Sequence, residues 1–367
     1  MLALAGYAAN PAMAQSAASA PAGPPTLQRA LPDRPLVVPR IAGRLTAAEI
    51  GLVINTADPY SVTVGRHYRQ QRKLTADQVL EVELPLRPAL TADEFEALRS
   101  RIEAHFGKRT QALALAWSQP YAVLCNSITG ALALGLDSAL CQQSCARSRL
   151  SPVFNSASTA PWRDHGLRLS MLLAAPDVDS ARALIDRGVA ADASLGRRGG
   201  LPVQASFLTT DDAARNVRAV QYPASGNVGR LAVRVQVEPA ASFEPRSRLL
   251  LLQTGQAVVD TRALQGRWVA GALADHLTSY GGQLEGGQGQ TTALDWIAAG
   301  ATASYGTVSE PCSHAQKFPH PQVLLLNYLQ GSSAIEAYWK SVAWPQQGVF
   351  VGEPLAAPFA ASATLKR

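Results

Sequence analysis

The chain has 367 residues, of which 47% are hydrophobic and 16% charged, enough to build one large α/β domain or two smaller ones. Its formal charge of +6 comes from arginines scattered along the sequence, with no basic block or stripe interleaved with aromatics, so nucleic-acid binding is not expected. No apolar run approaches the roughly 18 residues of a spanning helix, so no integral membrane segment is expected either.

The first stretch, "MLALAGYAANPAMAQSAASAPAGPP", has a short apolar start and a small-x-small site at Ala12-Met13-Ala14, the form of a signal-peptidase site without a charged leader. Residues 1–30 therefore read as a signal-like segment and an Ala/Ser/Pro linker, and 31–367 as a single large α/β domain. "IGLVINTAD" is a buried strand bounded by turn residues, and "PYSVTVGRHYRQQRKL" is a helix opened by proline. "QVLEVELP" is a strand, "TADEFEALRSRIEAHFG" a helix with a Thr cap and early acids, and "QALALAWSQP" a strand. From about 121 to 169 the alternation gives way to Cys, Ser, Asn and Pro, which predicts a cysteine-containing loop insertion.

Alternation resumes with strand "SMLLAAP", helix "DVDSARALIDRGVAA", strand "LPVQASFLTT", helix "DDAARNVRAVQY", and strands "LAVRVQVEP" and "SRLLLLQTG". The last third predicts helices "WVAGALADHLTSYGG" and "TTALDWIAAG", strand "ATASYGTV", helices "PQVLLLNYLQG" and "SAIEAYWKSVAW", and strand "GVFVGEP". The expected fold is α/β, a mostly parallel sheet with helices on both faces in flavodoxin-like layers.

In such sheets ligands bind beyond the carboxyl ends of the strands, where loops diverge. That rule selects Asn55, Asp58, Trp117, Ser118, Gln253, Thr254, Glu310 and Glu353 as ligand-binding candidates along one edge. Cys125, Cys141, Cys145 and Cys312 permit three full pairings in an oxidising compartment, with zinc a weaker alternative because Cys141 and Cys145 lack a nearby second pair. Cys312, in "SYGTVSEPCSHAQKFPHP", is bridged, buried or reactive; as a nucleophile it requires a base, which His276, beside Asp275, is placed to supply. His276 otherwise reads as a helix histidine bonded to a backbone carbonyl. "GGQLEGGQGQ" lacks the strand before it and the Lys-Ser/Thr ending of a phosphate loop, and no G-x-S-x-G elbow occurs, so no cofactor or metal and no serine nucleophile is implied.

"LVINTADPYSVTVGRHY", "LALAWSQPYAVLCNSIT", "ALIDRGVAAD", "GATASYGTVSEPC" and "IEAYWKSVAWPQQGVFVGEPLAAPF" resemble a family of exported bacterial proteins found in species that carry exosortase, the presumed sorting enzyme for proteins with a PEP C-terminal anchor. That resemblance implies a periplasmic or extracellular location and no particular reaction. "LLLQTG", "LTSYGGQL", "AAGATASYGT" and "VGEPL" also resemble, more distantly, caspase-like cysteine peptidases of the gingipain type, which implies caspase-like layers. Where those peptidases place histidine this chain has Gln256 after Gly255, and where they place cysteine it has Gly281 and Gly282. The expected function is a non-peptidase protein whose cleft binds a peptide, a glycan or a sorted surface protein. The alternatives are a cysteine-dependent hydrolase or transpeptidase with a displaced Cys312/His276 dyad, and a structural envelope component.

Overall fold

The computed structural model describes residues 43–361 except 198 and 245–247, together with 38 and 41. All of these fall in one compact unit, Pro35–Arg367, and the signal-like segment and linker expected over 1–30 lie outside the described residues. The first βα unit forms as its sequence dictates. β1 (Ile50–Asn55) is buried along its whole length, and α1 (Pro59–Arg72) starts where the Asp58 side chain accepts from Tyr60 N and proline fills the first turn. β2 (Val79–Val82), a short β3 (Ala89–Leu90), α2 (Ala92–His105) and β4 (Ala112–Leu115) follow. A reciprocal Thr91/Glu94 capping box opens α2.

The expected loop insertion carries secondary structure of its own. It contains β5 (Ala122–Val123), β6 (Asn126–Ser127), a buried α3 (Ile128–Leu134), α4 (Ala139–Gln142) and α5 (Pro161–His165). Then come β7 (Leu169–Leu172), α6 (Val178–Ala191), β8 (Val203–Thr209), β9 (Gly226–Val228), β10 (Val233–Pro239), β11 (Leu249–Thr254), β12 (Trp268–His276), α7 (Ala293–Ala299), β13 (Ala303–Thr307), α8 (Pro321–Gln330), α9 (Ala334–Ser341) and β14 (Gly348–Gly352).

Two expectations are corrected. "DDAARNVRAVQY" supplies a 3-10 turn at Asn216–Gln221 instead of a full helix. "WVAGALADH" is strand β12, not a helix. Its nearly continuous burial leaves no polar face to reveal a period, and a short apolar run reads equally well as a buried helix or a buried strand. Gly271, at φ 83, lies within the register shift between β12 and β11, a backbone conformation that favours glycine.

The main sheet has eleven strands in the order β2-β1-β4-β7-β14-β13-β12-β11-β8-β10-β9, mostly parallel and with helices on both faces; β3, β5 and β6 form a small second sheet. β14 runs antiparallel to β13 and meets β7 at a single bridge, Val351 to Leu172. The carboxyl ends of β4 and β13 lie toward the same edge, because Ser309 after β13 donates to Cys125 O at 2.7 Å in the β5–β6 turn, and Gln119 after β4 pairs with Glu285 after β12.

Candidate functional site

β12 carries Asp275 and His276 to the carboxyl edge, and both are consumed by internal partners. Asp275 is fully buried and pairs with Arg218 at 2.5 Å. It also accepts from Gln253 Nε2 at 2.8 Å and Tyr338 OH at 3.4 Å. Arg218 in turn donates to Thr254 O and Pro319 O. Burial opposes charge on Arg218, yet the adjacent Asp275 carboxylate prevails and holds its pKa above the ordinary value.

His276 Nδ1 accepts from Trp296 Nε1 at 2.9 Å, which requires the neutral ring to carry its proton on Nε2. Burial, reinforced by the charge of Arg218 and only partly offset by the Thr291 backbone, pushes its pKa down to about 3. This is a structural histidine at a strand end, with its basic nitrogen already engaged.

The cysteines form two disulfides, Cys125–Cys141 and Cys145–Cys312, with Cα–Cα separations of 5.2 and 5.1 Å. Cys312 therefore holds no thiol in the oxidised chain, and the Cys312/His276 pair considered above lacks a resting nucleophile. The Cys312 loop is tied down further by Lys317 Nζ donating to Ser144 O at 2.7 Å and by Cys312 N donating to Glu310 Oε1 at 2.7 Å.

Of the positions at which the peptidase resemblance would place a dyad, Gln256 stands where the histidine would be, and Gly282 is a backbone crossing point where a Cβ would lie 2.5 Å from Gly306 O, whereas a Cβ at Gly281 would meet nothing nearer than His276 Cε1 at 3.2 Å.

The remaining candidates divide into three groups. Asn55, Trp117, Gln253 and Thr254 are buried and hydrogen-bonded within the fold, as when Asn55 Oδ1 and Nδ2 bind Leu84 N and O and Trp117 Nε1 donates to Pro120 O, although Gln253 Oε1 has no partner among the described residues. Glu310 orders the disulfide loop. Glu353 lies away from that edge: β14 is antiparallel to β13, so Glu353 pairs instead with Arg72 at the far end of α1, through both carboxylate oxygens at 2.6 and 2.9 Å.

Asp58 and Ser118 line a cavity of about 340 Å³ at the carboxyl edge. Tyr60, Gln119 and Glu285 share it, with Leu86, Pro176 and Leu284 supplying apolar wall. Tyr60 OH donates to Leu173 O at 3.1 Å, and its pKa is raised to about 12, chiefly by burial, with Asp58 and Asp177 adding to the shift. Burial, with Glu285 nearby, likewise raises Tyr121 to about 12. Sequence reasoning did not select Tyr60 or Glu285. The available signal for Glu285 was its being the one acid in the otherwise uncharged "GGQLEGGQGQ".

No family model and no curated protein matches the chain. Among solved structures it is similar to the crystal structure of gingipain R, an Arg-specific cysteine proteinase, with a TM-score of 0.42 and 12% identity over 85% of this chain and 78% of that one.

Proposed function

We propose that the protein is a non-peptidase binding protein of the cell envelope whose carboxyl-edge cleft takes a peptide segment bearing a cationic side chain, such as a segment of a sorted surface protein. The cleft's two carboxylates, Asp58 and Glu285, set beside an apolar wall, carry this reading. A lysine or arginine stem packs on such a wall while its head reaches the acids. The bridged Cys312, together with Gln256 standing where the resemblance would place histidine, supports binding over covalent chemistry. Two disulfides suit an oxidising compartment and so support the expectation of export.

The test is a fluorescence-anisotropy titration with a lysine-containing peptide and its Nε-acetylated twin. Acetylation, or Asp58→Asn combined with Glu285→Gln, is expected to weaken binding by about tenfold or more, the scale of a lost charge-assisted contact. Equal affinity for the two peptides, or an unaffected double variant, would contradict the reading.

A further inference from the structure

The amino-terminal edge of β1, β4 and β7 holds a second cavity, of about 660 Å³, unconnected with the proposed function. Glu49, which precedes β1, lines it together with Lys108 and Arg109 from the α2–β4 loop and Trp162 and Arg163 from α5. The volume falls in the range of small-ligand sites.

Two buried polar side chains hold this corner in shape. Gln111 donates through Nε2 to Lys108 O and Arg109 O, while its Oε1 accepts from Trp162 N and Arg163 N. Arg168 donates to Phe106 O, Gly107 O and Thr110 O, and its guanidinium stacks 3.7 Å from the centre of the Trp162 ring. The loop bearing the cations and the indole are thus bound to the same two anchors and need little reordering to receive a ligand.

The charge is unbalanced in a specific way. Lys108 and Arg109 are exposed and lie in no ion pair among the described residues, whereas Arg163 pairs with Asp164 at 2.8 Å. Glu49 spends one oxygen, Oε2, on Thr46 N and Oγ1. A cation already stacked on the indole disfavours a second cation there. The single carboxylate opposes a dense polyphosphate but offers an acceptor to hydroxyl groups.

From this lining we infer that the corner is a binding site for an acidic saccharide, its carboxylate held by Lys108 and Arg109, its ring against Trp162 and a hydroxyl on Glu49. Titration calorimetry of the full chain with tetragalacturonate tests it, with neutral maltotetraose and a single-stranded oligonucleotide as comparators. The expected result is saturable binding of the acidic sugar. The neutral sugar should bind about tenfold more weakly or worse, and Lys108→Gln with Arg109→Gln should weaken binding by a similar factor without moving the thermal midpoint. Asp58→Asn with Glu285→Gln should leave this binding unchanged, which separates it from the peptide cleft. No saturable binding, equal affinity for the neutral sugar, tighter binding of the oligonucleotide, or indifference to the double variant would each overturn the inference.

Discussion

Two polar clusters at opposite edges of the main sheet, one around Asp275 and one around Gln111 and Arg168, treat charge in opposite ways. Around Asp275, at the carboxyl edge, an arginine, a glutamine and a tyrosine converge on one carboxylate, and the neighbouring histidine is held neutral chiefly by burial, with an indole N–H on its Nδ1. At the amino edge Gln111 and Arg168 spend their hydrogen bonds on backbone, leaving Lys108 and Arg109 facing solvent. A polar residue at a strand end is therefore a poor guide to a ligand site until its own partners are known. Around Asp275 the chain is its own ligand, whereas the Asp58/Glu285 cavity at the same edge stays open.

Covalent stapling gives the largest expected contrast. Cys145–Cys312 closes a separation of 167 residues and Cys125–Cys141 one of 16. In the chain-entropy picture, paired serine substitutions should cost about 5 kcal/mol for the first bridge and about 3 kcal/mol for the second. Denaturant unfolding reads the difference, and a Cys125/Cys141 loss equal to or above the other would break the ordering. Asp275→Ala strands the buried Arg218 and should cost about 3–5 kcal/mol, whereas Lys108→Gln at the exposed corner should stay within about 0.5 kcal/mol. Comparable losses at the two positions would erase the distinction between the edges.

Acid sharpens the same contrast. The unfolded chain protonates His276 below its ordinary value of 6.5, while the folded protein resists until about 3. Its contribution to stability is therefore intact above pH 6.5 and shrinks as pH falls from there toward 3, by about 1.4 kcal/mol per pH unit. The difference in unfolding free energy between wild type and His276→Gln, followed across that window, should show this slope; a flat difference would mean that the ring is not held neutral.

Much of the fold was legible because strands such as "IGLVIN" and caps such as Asp58-Pro59 and Thr91-x-x-Glu94 state their structure locally. β12 was not legible, since a run of Trp, Val, Ala, Gly and Leu buried along nearly its whole length carries no period to read. Its misreading also placed His276 at a helix end. Glu353 was misplaced for a different reason: the direction of β14 depends on its pairing with β13, a long-range fact absent from local pattern. Asp58 and Ser118 could be proposed from sequence because they follow strands directly, but Glu285 reaches their cavity from a glycine-rich loop that sequence offers no means of aiming. The amino-edge corner was invisible because Lys108, Arg109 and Trp162 meet only through Gln111 and Arg168.

The proposed binding role requires a carboxyl edge without a reactive thiol, and iodoacetamide labelling of the native, unreduced protein followed by peptide mapping tests this most directly. The expected map contains Cys125 linked to Cys141 and Cys145 linked to Cys312, with no alkylated cysteine until reductant is added. Alkylation of Cys312 in the unreduced protein would contradict it and restore a thiol to that edge.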